Sequence, residues 1–259
     1  MEWSQKRKIL YALLFAGIFI LLASYPVYSI ISKPATCFDG KQNGSETGLD
    51  CGGGCALVCT PDAKPLRIVW AKAFAINDNT YDLGAYVENP NTNVGLRIAR
   101  YTMRVFDDVG GVLAEKTGVT EFAPSSTNLI FETGATFSGT ADHVLLSFDS
   151  ADLTKWTRAT TLPSTVVTKN QSLTSIDIKP RFDAVLVNTD PVNDVAGLTL
   201  GAIVYDTLRN PIAVSRTYVD ALPKNGQENI FFTWPHKFSS TSQSFITEII
   251  VTPRATFAQ

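Results

Sequence analysis

The chain is predicted to be all-β, and three observations carry that expectation. Past Pro65 the sequence runs in short stretches alternating apolar and polar residues, split by Asn, Asp, Gly and Pro, with no long helical period. The same region repeats itself at one fixed offset. The long apolar run is confined to the first 31 residues, and all four cysteines fall between positions 37 and 59. Together these predict two tandem immunoglobulin-like β-sandwiches, preceded by one N-terminal transmembrane helix and a small disulfide-rich module.

The first element is "ILYALLFAGIFILLASYPVYSII", residues 9–31, which carries no charge. As a helix it reaches roughly 34 Å, enough to cross the hydrocarbon core of a bilayer. Lys6, Arg7 and Lys8 precede it and only Lys33 closely follows, so the bias of basic residues puts residues 1–8 in the cytoplasm and the rest of the chain outside. Tyr25 and Tyr28 suit the outer interface, and Pro26 is expected to kink or end the regular helix. A cleaved secretory signal, cut near "VYS" at 27–29, is the alternative. The apolar run exceeds the ~7–15 residues of a signal core, which favours a retained signal-anchor and a single-pass protein of the plasma membrane.

The second element is "CFDGKQNGSETGLDCGGGCALVC", residues 37–59. Cys37, Cys51, Cys55 and Cys59 stand in C-x13-C-x3-C-x3-C spacing, unlike the close knuckles of zinc sites, and a redox CxxC is absent. Outside the cell four cysteines most simply make two disulfides, for which three pairings are open. Asp39, Asn43, Glu46 and Asp50 offer hard oxygen ligands of the kind calcium takes, with Gly40, Gly44 and Gly48 to curl the chain. Their spacing is not that of an EF-hand, and a turn cluster whose side chains cap backbone groups explains the same composition. No cofactor is required, and calcium is the alternative. As a whole, "CxDGxxNGxETGxDCGGxCxxxC" resembles a short cysteine-rich module common in exported and surface proteins, often beside a β-sandwich.

The sandwiches follow. "YVENPNTNVGLRIARYTMRVFDDVGG" from Tyr86 lies over "VLVNTDPVNDVAGLTLGAIVYDTLRN" from Val185, 99 positions on, and the match continues without a gap to Phe131 and Ile230. Asn89 meets Asn188, Phe106-Asp107 meets Tyr205-Asp206, and Pro124 meets Pro223. The copies are placed at 66–150 and 172–253, with 151–171 as a polar linker. In copy one Tyr101, Met103 and Val105 share a strand face opposite Thr102, Arg104 and Phe106, and Leu200, Ala202 and Val204 repeat the first set. "DDVGG" and "DTLRN" read as hairpin turns. "VENPN" followed by an alternating strand ending in "VFDDVGG", and "LVNTDP" followed by one ending in "IVYDTLRN", resemble the FxLYD-type bacterial domains and, more distantly, the LEA type 2 sandwiches. That resemblance implies extracytoplasmic sandwiches of membrane or envelope proteins, and it carries over no active-site residue.

Composition narrows the function. The chain has 259 residues, 45% hydrophobic and 18% charged, with a net charge of -2, which provides no basic field for nucleic acid. His143 and His236 belong to no recognisable nucleophile or metal set, and HExxH and GxSxG are absent. Asp107 and Asp108 read as turn residues, and Trp70, Trp156 and Trp234 as core or edge packing. "ENPNTN" and "NTDPVND" are tight turns that also qualify as binding loops. The expected function is non-catalytic: a membrane-integral structural or protein-interaction role, in adhesion or an envelope complex, with a protein partner. The alternative is a calcium- or ligand-binding surface sensor acting through the cysteine module.

Overall fold

The computed structural model describes residues 3–31, 36–238 and 244–258; Lys33 lies outside them. The apolar run forms helix α1, Trp3–Ile31. Its stretch Gln5–Pro26 is long and apolar enough to cross a membrane, and none of it is buried inside the molecule. The helix continues through Pro26 rather than ending there. Proline withholds a single N–H, and five further residues stay helical beyond it.

The first sandwich pairs two antiparallel sheets. One has the order β1-β2-β5, from β1 (Arg67–Asn77), β2 (Thr80–Asn89) and β5 (Ser126–Thr136). The other centres on β3 (Val94–Phe106), flanked by β4 (Val112–Phe122), β6 (His143–Phe148) and β7 (Thr157–Thr161). Tyr101, Met103 and Val105 point into the core with Leu83, Ala85, Val87 and Ile130, as the alternation predicts.

The second sandwich repeats this plan. One sheet is β8 (Val166–Thr174), β9 (Arg181–Asn188) and β12 (Gln227–Thr233); the other is β10 (Val195–Tyr205), β11 (Pro211–Leu222) and β13 (Ile246–Val251). Leu200, Ala202 and Val204 face its core with Phe182, Leu186 and Phe232. The expected gapless repeat needs one correction. Ala85 pairs with Ile130 in copy one, whereas Ala184 pairs with Ile230 in copy two, so the offset steps from 99 to 100 in the turn before the fifth strand. A turn absorbs an extra residue at little cost, while a one-residue slip inside a strand would turn its core residues outward.

Segment 151–171 is more than a polar linker. It contains a single-turn helix at Asp152–Thr154, strand β7 and the start of β8, so the second sandwich begins at Val166 rather than at 172. Its side chains read as a loop because most of them remain partly exposed along a sheet edge. After copy two the chain returns: β14 (Ala255–Phe257) pairs with β7 and joins the sheet of copy one. Arg254 bonds the carbonyls of Ala196 and Gly197 on the way.

The two sandwiches share a third core. The outer face of β1-β2-β5 presents Trp70, Phe74, Tyr86, Leu129 and Phe131 to the outer face of β11-β10-β13, which contributes Ile203, Tyr205, Val214 and Ile250. Corresponding sheets do not meet. The first sheet of copy one packs on the second sheet of copy two, a head-to-tail contact rather than a two-fold one. Glycines sit where the sheets approach most closely: a Cβ at Gly201 would lie 2.6 Å from Leu129 Cδ2, and one at Gly84 would lie 3.3 Å from Val214 Cγ1. Tyr86 donates to Glu248 across the contact at 3.2 Å, and burial raises the pKa of both Tyr86 and Tyr205, which keeps these hydroxyls protonated beside that carboxylate.

The equivalent free faces are built differently. Where the contact has the cross-strand pair Ile203 and Val214, copy one has Arg104 and Glu115, ion-paired at 2.5 Å. Thr102 stands in the place of Gly201. On the free face of copy two Asp183 replaces Gly84 and pairs with Arg181 at 2.7 Å, while the guanidinium lies 4.4 Å over the ring of Phe231, the counterpart of Phe131. Gly201→Thr, which copies the free face into the contact, is expected to cost about 1–3 kcal/mol by overpacking against Leu129. Thr102→Val on the open face should stay within about 0.5 kcal/mol. Urea unfolding of both variants checks the contrast.

Candidate functional site

The cysteine module closes by interlaced bridges, Cys37–Cys55 and Cys51–Cys59, with Cα separations of 5.7 and 5.1 Å. Two bonds across so short a segment replace the core it is too small to build. Tight reversals pack against one another between them. Gly53 has φ +54°, and a Cβ there would fall 1.7 Å from the Ser45 carbonyl oxygen, so no other residue fits without rebuilding the turn.

The four candidate calcium ligands converge here, largely on backbone groups. Asp50 accepts the N–H groups of Asp39 and Gly40 at 3.0 Å. Asp39 accepts from Lys41 N–H and, at 2.9 Å, from the Asn43 side-chain amide, which lowers its pKa. Glu46 accepts Asn43 N–H at 3.0 Å. One oxygen differs: Asn43 Oδ1 is buried and has no hydrogen-bond partner among the described residues. Cys37, Glu46 and Cys55 also lie together, but these sulfurs are bonded to each other and offer no thiolate to a metal.

The module is fastened to the first sandwich. Val58 joins its core, and Val58 N–H donates to the Trp156 carbonyl at 2.8 Å. Arg158 N–H donates to the Ala56 carbonyl, and its guanidinium to the carbonyls of Cys55 and Gly53 at 3.0 and 2.7 Å. Lys64 exchanges two bonds with the Asn91 side chain. Asp152 anchors the receiving segment: fully buried, it accepts Arg100 N–H and the Arg100 and Lys155 side chains, which holds its carboxyl below the usual carboxylate range. Trp156 was legible as a packing residue and Asn91 as part of a candidate loop, but neither they nor Arg158 and Asp152 were legible as partners of the module. "KWTR" at 155–158 offers only an isolated tryptophan and arginine in a polar stretch.

The two candidate loops are built around buried asparagines. Asn89 donates to the carbonyls of Val94 and Ala123 and accepts Asn91 N–H. Asn188 donates to the carbonyls of Asn193, Leu222 and Pro223 and accepts Asp190 N–H. These are equivalent latches, each tying the end of one strand to the turn after it and to the β4–β5 or β11–β12 corner. Asp107 and Asp206 likewise hold matching turns through N–H groups two and four residues on. His143 is exposed, 2.8 Å from Asp142 and stacked on Phe106. Trp156 and Trp234 are core residues, and Trp70 stacks on Tyr86 between the sandwiches.

No family model and no curated protein matches the chain. Among solved structures, a red sea bream transglutaminase aligns over 75% of this chain with 8% identity and a TM-score of 0.24. The chain spans 31% of that protein's length, and a likeness this slight carries no argument about fold or activity.

Two outcomes follow from the packing. Asn89→Ala or Asn188→Ala strands buried carbonyls and should cost about 2–4 kcal/mol each, read from denaturant midpoints. Because the Asp152 carboxyl is lowered, its contribution is full above the unfolded-state value and is lost as pH falls below about 4. Asp152→Asn should therefore flatten the stability profile below about pH 4 while lowering stability at neutral pH, as followed by thermal melts across pH.

Proposed function

We propose that this chain is a non-catalytic, membrane-anchored protein whose cysteine module and paired sandwiches stand outside the cytoplasm as a rigid protein-interaction unit. The observation that carries the reading is α1. Its apolar stretch Gln5–Pro26 lies wholly outside the folded body, and a twice-bridged module begins a few residues beyond the helix. An apolar surface of that length needs lipid to cover it, and disulfides persist in oxidising compartments. Lys6, Arg7 and Lys8, in the first turns of the helix ahead of its apolar run, support an N-terminus inside. The sandwiches, of the kind the FxLYD resemblance implies, present free edges and loops to a partner in an envelope complex or on another surface.

Topology decides this reading. In intact cells, a membrane-impermeant maleimide is expected to label the cysteines only after an impermeant reductant, and carbonate washing should leave the chain in the membrane pellet. Labelling without reduction, or only after lysis, would overturn it.

Calcium binding in the module is the second reading, and it is favoured by one observation, the buried Asn43 Oδ1 that has no hydrogen-bond partner among the described residues. Millimolar calcium should then raise the melting temperature of the oxidised full chain, and Asn43→Ala should remove that rise. An unchanged melt in the parent protein ends this reading, since the Asp39, Glu46 and Asp50 oxygens already serve backbone N–H groups.

A further inference from the structure

We propose that Phe38 and Leu49, at the exposed end of the cysteine module, rest in the headgroup layer of the bilayer, making the module a second, shallow membrane contact. The inference rests on the reading of α1 as a membrane span. The module has two kinds of apolar surface. Cys55 and Val58 are buried, Val58 in the core of the first sandwich, whereas Phe38 is 84% exposed and Leu49 61% exposed.

The chain segments that carry those two side chains are tied to each other. Asp50, next to Leu49, accepts the N–H of Asp39, next to Phe38, and Cys37 and Cys51 fix the backbone on either side through their bridges. A pair pinned in this way loses little conformational freedom when it meets a surface. Acidic charge beside it is tempered, because the Asp39 and Asp50 oxygens are engaged by N–H groups.

Chain length selects the occupant. Phe38 lies seven residues past Ile31, the last residue of α1, so it stays within about 25 Å of the helix end even if the chain between them is fully extended. Every molecule therefore carries its own bilayer within reach of the pair, at high effective concentration, whereas a protein partner or a second copy would have to be recruited. Aromatic and aliphatic side chains enter the interfacial layer favourably, and a weak contact suffices once the helix has anchored the chain.

The test places tryptophan reporters in the full chain, in a Trp3→Phe background, reconstituted into vesicles with and without brominated lipid. Phe38→Trp and Leu49→Trp report on the pair. Val109→Trp is the control. It lies in the turn at the far end of β3 from the module, roughly 40 Å along a 13-residue strand, and Val109 is as exposed as Phe38. All three sites are exposed, so none of the substitutions disturbs a core.

Brominated lipid is expected to quench the added emission at positions 38 and 49 by about twofold, with a blue shift, and to leave that at position 109 unchanged. If the chain floats with the vesicles but either module reporter is quenched no more than the Val109 reporter, the proposal is overturned and the anchor stands. A chain that fails to float overturns the anchored reading itself, and the surface contact with it.

Discussion

The spacing between the two sandwiches is set where Gly84 meets Val214 and Gly201 meets Leu129, and much of the architecture depends on that approach. Only because the backbones come so close can Phe74, Phe131, Ile203, Tyr205, Val214 and Ile250 be buried together, each worth about 1.5–3 kcal/mol relative to exposure. The same closeness lets Tyr86 reach Glu248 and lets β14 cross back to pair with β7. Two small domains that would otherwise move independently become one body with three cores.

A head-to-tail contact between repeated units has no built-in stopping point, because each unit offers the face that the next one needs. Charge supplies the stop. Arg104 with Glu115 and Arg181 with Asp183 occupy the faces that would continue the stack, and Thr102 and Asp183 fill the space that glycine leaves open inside it. Removing these side chains from water without apolar partners would cost more than the contact returns. The two copies are therefore capped in the manner of terminal repeats.

From the N-terminal side, order is handed along the chain by polar contacts. Asp152 fixes the segment around Trp156, Arg158 grips the carbonyls of Cys55 and Gly53, and the bridges transmit that hold to Asp50 and the turn at Asp39. The module is a bracket fixed to the first sandwich rather than a loose segment beside it. Its direction relative to copy one is decided by these bonds, and any partner would meet the sandwiches in a fixed orientation relative to the module.

Sequence alone determined the all-β class, the apolar helix, the position of the cysteine module and the inward faces of Tyr101, Met103, Val105, Leu200, Ala202 and Val204. Each of these is written in a local period or in a repeat, and a strand's alternation needs no knowledge of its partner. The asparagines at 89 and 188 were legible as a repeated pair, though as loop residues. Only the fold shows that they are buried latches, since the carbonyls they satisfy at Ala123 and Leu222 lie 34 residues away. Disulfide pairing, the strand hidden in 157–161, the one-residue step in the repeat and the contact between sandwiches were all decided by tertiary structure. The reason is common to them: outward-facing residues such as Ile203 and Arg104 obey the same alternation, and whether such a position meets water or another sheet is a property of its neighbours in space.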